Sequence, residues 1–377
     1  MAERTVLITG GAGFIARATI PLLLQSGWRV LSLDTLDPQV HGETAPDLPP
    51  EVEFHRGDVL DQHMLAPLVR EADAVLHLAA RTGVGQSMYA VLDYAQTNVS
   101  GTAALLELLA AGGHQVQRLV VASSRAIYGE GAYCCPQCGP VTAAVRGRIQ
   151  LEAGDWEVHC PRCRAGAAAE PTGEDKALAP GSVYAITKRD QEEMCLCIGA
   201  AYGIEAVALR YFNVYGPGQP PSNPYTGVIP AFASRVLSGR AAEVYEDGAP
   251  LRDFVHVEDV ARANVLALER DGVAGLAVNI GSGEPISILE AAAAVTSALR
   301  GSDPPRISGR YRVGDIRHCY ADLTRARQQL GYAPRVPFRA GVARMAPWLQ
   351  EQFRGDFSEQ AALELATRGL SGKGTGR

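Results

Sequence analysis

The chain has 377 residues, of which 47% are hydrophobic and 20% charged, and its formal net charge is -6. This length allows a large core without disulfide or metal support, and the composition excludes a disordered, collagenous or coiled-coil chain. The negative charge and the lack of a basic block argue against nucleic acid or an anionic membrane as partner, and no apolar run reaches the roughly 18 residues of a membrane span. We therefore expect a soluble, cytoplasmic protein that binds neither nucleic acid nor membrane.

The first half of the chain alternates predicted strands with predicted helices. The apolar run Thr5–Thr9 leads through a glycine-rich turn into a helix over Phe14–Ser26. The next predicted elements are strands at Arg29–Asp34, Val52–Val59 and Ala74–Ala80, a helix at Asn98–Ala111 and a strand at Leu119–Ser123. Strands separated by helices predict an α/β fold of Rossmann type, with a doubly wound parallel sheet and right-handed crossovers.

The alternation breaks between Cys134 and Ala167, where two close cysteine pairs replace the long apolar periods, so this stretch is interpreted as an insertion. The elements predicted beyond it are helix Val183–Ala201, strand Ala206–Arg210, helices Asp259–Glu269 and Ala340–Phe353, and a disordered end at Ser371–Arg377. The predicted domains are a nucleotide-binding domain at 1–133, continued by 168–212 and 250–275, the insertion at 134–167, a substrate lobe at 213–249 and 276–355, and a partly disordered tail at 356–377.

The glycine-rich turn has the pattern of a dinucleotide site. Gly10 permits the tight turn, and Gly13 lets the backbone approach a pyrophosphate. The helix that starts at Phe14 and Ile15 presents free N–H groups and the positive end of its dipole to the phosphates. Asp34 ends the second strand, where its carboxylate can accept from both ribose hydroxyls and would repel a 2′-phosphate. The turn therefore predicts NAD rather than NADP.

Other residues of the predicted NAD site follow later strands. Asp58 and Val59, at the end of the third predicted strand, would suit the adenine edge. His77 ends the fourth strand beside this site and is interpreted as a structural histidine. The remaining expected contacts to the cofactor are Leu78, Ala79, Ala80, Asn98, Tyr184, Lys188 and Tyr211.

A phenol and an ammonium lie on one face of a predicted helix, because Tyr184 and Lys188 are four residues apart. Free tyrosine has a pKa near 10, and a neighbouring cation together with the positive nicotinamide ring would lower it enough for a general base. Lys188 is one of only three lysines among 35 basic residues. Ser124 would lie at the carboxyl edge of the sheet and could hydrogen-bond the hydroxyl that Tyr184 deprotonates. A surface Tyr–Lys pair is the alternative.

Seven segments, taken together, resemble a known family. They are TGGAGFIA from Thr9, HLAA from His77, NVSGT from Asn98, SSRAIYG from Ser123, YAITK from Tyr184, RYFNVYGPG from Arg210 and RDFVHVEDV from Arg252. Between about residues 5 and 335 the chain resembles the extended short-chain dehydrogenase/reductases, and among these the NAD-dependent nucleotide-sugar epimerase/dehydratase branch.

The resemblance implies roles for particular residues. Ser124, Tyr184 and Lys188 would be catalytic, with Ser124 also touching the substrate. Asn213 and Arg252 would hold the diphosphate of a nucleotide sugar, and Arg317 would be a second phosphate ligand. In families like this one, the helices Asn98–Ala111 and Val183–Ala201 commonly pair across a two-fold axis, so the resemblance implies a homodimer.

The residues after Ser124 narrow the expected reaction. The 4,6-dehydratases carry an acid pair where this chain has Arg125 and Ala126, the decarboxylases carry glutamate at the Ala126 position, and the 3,5-epimerases carry cysteine at the Arg125 position. What remains suffices for reversible oxidation at C4, and the segments SSRAIYGEG and VGDIRHCYADL look most like dTDP-L-rhamnose 4-epimerases. We predict an NAD-dependent nucleotide-sugar 4-epimerase acting on a dTDP-6-deoxyhexose or a UDP-sugar. The alternatives are a decarboxylase, a 4,6-dehydratase or a 4-ketoreductase of the same family, or a catalytically silent NAD-binding protein.

The insertion carries two C-x2-C pairs, Cys135 with Cys138 and Cys160 with Cys163. Four thiolates at this spacing suit tetrahedral zinc in a zinc-ribbon-like unit, and the zinc would be structural because protein fills all four positions. Free thiols are the alternative, a disulfide is disfavoured in cytosol, and the adjacent Cys134 could substitute as a ligand. We expect the insertion to be a lid or interface piece near the active site.

Overall fold

A computed structural model describes residues 4–42, 47–219, 227–356 and 358–374. Its strands are, in chain order, β1 Arg4–Thr9, β2 Trp28–Asp34, β3 Glu53–Arg56, β4 Ala74–His77, β5 Arg118–Ser124, β6 Ala132–Cys135, β7 Gly139–Val141, β8 Ala168–Glu170, β9 Glu205–Tyr211, β10 Asn213–Tyr215, β11 Glu243–Val244, β12 Leu251–His256, β13 Ala277–Ile280, β14 Pro285–Ser287, β15 Arg306–Ile307, β16 Arg310–Arg312, β17 His318–Cys319 and β18 Ser371–Lys373.

The helices surround these strands. They are α1 Phe14–Gln25, α2 Pro38–His41, α3 Gln62–Glu71, α4 Val84–Ser87, α5 Val91–Tyr94, α6 Gly101–Ala111, α7 Arg148–Glu152, α8 Val183–Tyr202, α9 Val228–Leu237, α10 Val257–Glu269, α11 Ile288–Ala298, α12 Phe338–Gln352 and α13 Ser358–Thr367. A π-helical turn at Ala95–Ser100 precedes α6, a 3-10 turn at Arg125–Tyr128 follows β5, and a second π-helical turn lies at Ala326–Leu330. In the part of the chain that the structure describes, no helix is both long and apolar enough to cross a membrane.

A seven-stranded parallel sheet, in the order β13-β9-β5-β4-β1-β2-β3, confirms the predicted Rossmann-type architecture. Side chains alternate between its two faces: Val6 and Ile8 of β1 enter one buried cluster, and Leu7 between them enters the other. The chain leaves β1 on one side for β2 and β3, and then returns to β4 on the other side. Ligands of doubly wound sheets bind at the carboxyl edge of such a switch point.

Two strands lie in different sheets from those that the predicted boundaries imply. Strand β13 falls inside the predicted substrate lobe 276–355, but it pairs in parallel with β9 at the edge of the main sheet. Strand β12, inside the predicted nucleotide-binding segment 250–275, joins a smaller four-stranded sheet with β10, β14 and β17. Short apolar runs with similar sequences fit either sheet, so strand pairing rather than composition decides the boundary.

The insertion and the C-terminal end are both more ordered in structure than the sequence indicates. The insertion contains β7 and helix α7, while β6 crosses its first boundary and β8 directly follows its last residue, so that the antiparallel sheet β7-β6-β8 brings its two ends together. The predicted disordered end at Ser371–Arg377 is wrong for its first three residues, because β18 pairs with β16 in antiparallel fashion; residues 375–377 lie outside the described residues. Helix α13 likewise occupies much of the predicted tail. Polar and glycine-rich composition does not exclude a strand whose hydrogen bonds a partner strand completes.

Candidate active site

The turn between β1 and α1 has the close backbone contacts that its glycines allow. Gly10 has a φ of 70°, and a Cβ there would lie 2.8 Å from the backbone nitrogen of Ala79. The Gly10 and Gly11 N–H groups donate to the carbonyl of Leu33, at 2.8 and 3.2 Å. Gly13 caps α1 without a side chain of its own, so the first N–H groups of the helix, from Phe14 onward, are open to an anion such as a pyrophosphate.

Asp34 lies beside this turn at the end of β2. Its carboxylate accepts from the N–H of Ala12 at 3.1 Å and from that of Leu36 at 2.8 Å, and His41 Nε2 lies 3.4 Å away. Burial alone would raise the pKa of Asp34, but these hydrogen bonds, led by that of His41, outweigh it and lower the pKa. The carboxylate therefore carries its charge where it would meet a ribose. His41 was not foreseen, because it reaches Asp34 from a short separate helix.

The other predicted cofactor residues divide into loop and buried positions. Asp58 and Val59 lie in the turn after β3, with Asp58 exposed and Val59 buried. Tyr211 is buried at the end of β9, where its hydroxyl donates to Asn264 Oδ1 at 2.6 Å. The side-chain amide of Asn98 makes its hydrogen bonds within the protein. It accepts from the Arg81 N–H at 2.7 Å and donates to the Arg81 carbonyl at 3.1 Å. Asn98 therefore shapes the loop after β4, which includes Leu78, Ala79 and Ala80.

Ser124, Tyr184 and Lys188 all lie at the carboxyl edge of the sheet. Ser124 ends β5, and Tyr184 is in the first turn of α8, whose start is capped by Ser182 accepting from the Ala185 N–H at 3.1 Å. Burial raises the pKa of Tyr184, while a hydrogen bond with Ser124 acts in the opposite direction. The phenol and the serine hydroxyl are thus adjacent, as a proton-transfer pair requires.

A hydrogen bond to Gln191 fixes the ammonium of Lys188. Lys188 Nζ donates to Gln191 Oε1 at 2.7 Å, and Gln191 Nε2 donates to Thr102 Oγ1 at 2.7 Å. Burial lowers the pKa of Lys188 to about 8, against the opposing effects of Cys195 and Glu192. Gln191 is a site residue that sequence reasoning missed, since its role depends on contacts with elements distant in the chain.

His77 completes this support. Its Nδ1 lies 2.7 Å from Thr9 Oγ1, and its Nε2 lies 2.9 Å from Thr102 Oγ1. Burial, followed by the charge of Lys188, lowers the pKa of His77 to about 3. A neutral imidazole with both nitrogens in hydrogen-bond contact is the structural histidine that the sequence predicted.

The predicted substrate residues Asn213 and Arg252 lie on adjacent strands, β10 and β12. Three backbone carbonyls hold the Arg252 guanidinium, at 2.9 Å (Leu251), 2.9 Å (Arg317) and 2.7 Å (Ile316). The buried Oδ1 of Asn213 has no hydrogen-bond partner among the residues that the structure describes. An arginine fixed by carbonyls, near an unpaired buried acceptor, fits a site that a polar ligand completes.

The prediction that Arg317 is a phosphate ligand does not agree with its surroundings. Its side chain is 0% exposed, and the guanidinium is directed at three carboxylates. The N–H···O distances are 2.5 and 3.1 Å to Glu157, 2.9 Å to Glu246, and 2.7 Å for both bonds to Asp247. All five N–H donors of an arginine are occupied in this way. Arg317 therefore ties the insertion, through Glu157, to the loop that carries Glu246 and Asp247.

The four predicted metal ligands come together in the insertion. The Sγ atoms of Cys135, Cys138, Cys160 and Cys163 all lie within 4.8 Å of one another, and those of Cys135 and Cys163 are 3.5 Å apart. Among the described residues this cluster does not include Cys134. Tetrahedral zinc with Zn–S bonds of about 2.3 Å would place its sulfurs about 3.8 Å apart. The cysteine cluster is therefore compact enough for such an ion.

Comparison with known proteins gives a consistent family match. The model of the NAD dependent epimerase/dehydratase family matches residues 6–143 and 162–281. The chain is 35% identical over 354 residues to a dTDP-L-rhamnose 4-epimerase of Burkholderia thailandensis. The aligned region covers 93% of this chain and 96% of that protein.

Two solved structures are similar over nearly the whole chain. A UDP-glucose 4-epimerase of Thermotoga maritima with UDP-glucose has a TM-score of 0.75 and 28% identity, covering 92% of this chain and 99% of that one. A UDP-glucuronic acid 4-epimerase of Bacillus cereus, in complex with UDP-glucuronic acid and NAD, has a TM-score of 0.75 and 25% identity, covering 93% and 100%.

Proposed function

Because the chain belongs to the NAD-dependent epimerase/dehydratase family, we propose that it is a nucleotide-sugar 4-epimerase that uses NAD. The grouping of Ser124, Tyr184 and Lys188 at the carboxyl edge of the sheet carries the proposal. Arg125 and Ala126 stand where a dehydratase would carry its acid pair, which favours oxidation and reduction at C4 without loss of water. The proposed substrate is a dTDP-6-deoxyhexose or a UDP-sugar.

The residues of the first turn fit NAD. Gly10 has no side chain, so the turn can pack tightly against the backbone of Ala79. The start of α1 has no side-chain cap, so its first N–H groups are free to bind a pyrophosphate. The charged Asp34 would accept from ribose hydroxyls and repel the 2′-phosphate of NADP. When bound, NAD supplies a reversible acceptor for the C4 hydride, so the hydrogen that leaves C4 returns to the same carbon.

The chain's own residues would handle the proton and the substrate. The phenolate oxygen of Tyr184 takes the proton of the C4 hydroxyl and returns it when the hydroxyl re-forms. Ser124 hydrogen-bonds the same sugar oxygen, and Lys188, fixed by Gln191, places its ammonium beside the base. Asn213 and Arg252 retain the nucleotide diphosphate while the 4-keto sugar turns its other face to the cofactor. Proton and hydride both return, so the reaction is redox-neutral.

The experiment is a panel of dTDP-, UDP- and GDP-sugars, incubated in D2O with the protein loaded with NAD or with NADP and followed by NMR. We expect one C4 epimer pair to interconvert in the NAD arm without solvent deuterium at C4. A 4-keto-6-deoxy product would indicate a dehydratase, and a pentose product would indicate a decarboxylase. Stoichiometric reduction of the added dinucleotide, with accumulation of a 4-keto sugar, would indicate a 4-ketoreductase acting in the oxidative direction. Binding of a sugar without turnover would indicate a silent binding protein.

We also propose that the cysteine cluster holds one structural zinc ion. The four sulfurs have the spacing of a tetrahedral site, and Cys135 and Cys160 are buried while Cys138 and Cys163 are more open. The ion would stabilise the insertion, whose Glu157 and Arg146 bind Arg317 and Glu246. The zinc thus supports the wall of the substrate lobe without taking part in the chemistry.

The zinc prediction is tested by elemental analysis of protein purified without chelator. We expect about one zinc per chain, lost in Cys135→Ser and in Cys160→Ser, because a tetrahedral site needs all four thiolates. Cys197→Ser is the matched control, since Cys197 is an exposed cysteine of α8 outside the cluster. Zinc-free wild-type protein, or zinc retained in both cluster variants, would contradict the assignment.

We propose a homodimer because apolar side chains are exposed on α8 and on the segment before α6. Leu92, Met88 and Ile186 are apolar side chains that are 65%, 41% and 46% exposed. A second copy of the chain would cover them if the helices paired across a two-fold axis. Light scattering of the purified protein should then give twice the mass of one chain, and the mass of a single chain would refute the pairing.

A further inference from the structure

A short piece of backbone immediately before β17 holds the guanidinium of Arg252. Its Nη1 donates to the carbonyl of Arg317 at 2.9 Å, and its Nη2 donates to that of Ile316 at 2.7 Å. The carbonyl of Leu251 accepts a further bond at 2.9 Å. Asp315 Oδ1 lies 3.8 Å from Nη2, which is beyond hydrogen-bond distance. The direction of the guanidinium therefore depends on where the backbone of residues 316 and 317 lies.

Glu157 of the insertion binds two consecutive side chains of this segment. Nε and Nη2 of Arg317 donate to Glu157 Oε1 at 3.1 and 2.5 Å. Glu157 Oε2 lies 3.3 Å from Nε2 of the His318 ring. One carboxylate therefore holds both the residue whose carbonyl binds Arg252 and the residue that follows it.

His318 gives Glu157 a second route to Arg252. The His318 Nδ1 atom accepts from the backbone N–H of Leu251 at 3.1 Å, so Nε2 carries the ring proton and donates to Glu157. This hydrogen bond, followed against the effect of burial by those of Arg317, lowers the pKa of Glu157 to about 2. The charged carboxylate is thus joined, through one imidazole, to the residue directly before Arg252 on β12.

Other carboxylates that hold this segment come from outside the insertion. Glu130 accepts from the backbone N–H groups of Arg317 and His318 at distances of 2.8 to 3.3 Å. Glu246 and Asp247, in the loop after β11, share the Arg317 guanidinium with the insertion. These bonds keep the segment in place when the insertion is altered, so a change in the insertion should move Arg252 without unfolding its surroundings.

The insertion reaches the segment through two charged residues. Arg146 donates to the carbonyl of Asp315 at 3.0 Å, and Glu157 binds the two side chains that follow. Glu157 is three residues before Cys160 of the cysteine cluster. The order of the cluster is therefore linked, over a short stretch of chain, to the position of Arg252.

We propose that Glu157 is a positioning residue for Arg252, through which the insertion sets the affinity of the site for a nucleoside diphosphate. The carbonyls take three of the five N–H donors of an arginine, and an anion can accept from the others. Recognition of a phosphate by a planar guanidinium depends on its orientation, so a displaced segment would misdirect these donors. The inference rests on the proposed function for the identity of the ligand.

The test measures Kd for dTDP, UDP and GDP by calorimetry, with protein loaded with NAD. The variants are Glu157→Gln, Glu157→Asp and the control Asp155→Asn. Glu157→Gln keeps the size of a side chain that is 52% exposed and removes its charge. Asp155 is the matched control because it lies in the insertion, is 46% exposed, and pairs with His159 at 2.7 Å. KM and kcat for the nucleotide sugar are measured in parallel.

We expect Glu157→Gln to raise both Kd for the bound diphosphate and KM for the sugar by about fivefold. This is less than the full effect of one charged hydrogen bond, because other carboxylates still hold Arg317. The value of kcat should not change, since Glu157 lies apart from the reacting groups. Glu157→Asp keeps the charge and should recover part of the affinity, and Asp155→Asn should bind as the wild type does.

A double-mutant cycle with Arg252→Gln separates positioning from general damage to the fold. If Glu157 acts through Arg252, Glu157→Gln should not weaken diphosphate binding further once Arg252 has been replaced. An equal loss in both backgrounds would show that Glu157 acts on the site in another way, and would overturn the inference. Arg252→Lys takes the same place in the cycle if circular dichroism shows that Arg252→Gln does not fold.

The outcomes also separate this inference from the proposed function. Unchanged diphosphate affinity in Glu157→Gln overturns the inference, even where epimerisation is normal. Weakened binding in Glu157→Gln, in a protein that epimerises no sugar, supports the inference and refutes the function. A wild-type protein that binds none of the three diphosphates overturns both. A fall in kcat alone would assign Glu157 to the chemical steps, and its positioning role would be wrong.

Discussion

Replacing Tyr184 with phenylalanine is expected to lower kcat for epimerisation by about 10²–10⁴-fold, the usual contribution of a general base. The substitution keeps the ring and its edge-on contact with Tyr94, and removes only the ionisable oxygen. Because no contact to the nucleotide diphosphate is lost, KM should change little. Steady-state kinetics with the sugar identified in the NMR panel measure both constants.

Tyr202→Phe is the matched control for this variant. Tyr202 ends α8 with its side chain 55% exposed, far along the helix from the site. It should retain the wild-type kcat. A Tyr184→Phe enzyme with a near-normal rate would show that another group is the base, while equal losses in both variants would point to general damage of the helix.

Replacing Arg317 with methionine is expected to lower the free energy of unfolding by about 3–5 kcal/mol, the usual effect of removing one partner from a buried ion cluster. Methionine fills part of the volume but leaves the buried Glu246 without one of its two arginines, and leaves Asp247 and Glu157 without their shared partner. Urea unfolding, followed by circular dichroism, measures the difference.

Arg29→Met is the control, because it removes ion pairs at the surface rather than in the interior. Arg29 bridges Glu53 and Glu71 at the surface, with its side chain 36% exposed, and its loss should change stability by only about 0–1 kcal/mol. Wild-type stability of Arg317→Met, together with a raised KM for the nucleotide sugar, would instead restore the phosphate-ligand role that the family resemblance implies.

Features that depend on short stretches of chain could be predicted from the sequence. Tyr184 and Lys188 share a helix face because four residues make about one turn. Gly10 marks the tight turn between β1 and α1, where a side chain would collide with the backbone of Ala79. The alternation of strands and helices predicted the parallel sheet, although β3 and β4 are shorter than expected and their last predicted residues belong to loops.

The partners of charged side chains could not be predicted in the same way. Arg317 looks like a phosphate ligand in sequence, and only the fold shows Glu157, Glu246 and Asp247 around it. The contact of Lys188 with Gln191 is local, but the link onward to Thr102 and His77 joins three separate elements.

Local sequence patterns were enough to predict the glycine-rich turn, the Tyr–Lys spacing, the cysteine pairs and the order of strands and helices, because each depends on residues that are close together in the chain. Only the folded chain shows which strand pairs with which, that β18 pairs with β16, and that three carboxylates surround Arg317. Charge interactions act through space and depend on burial, so a charged residue's role is fixed only when the packing has placed its neighbours and excluded water.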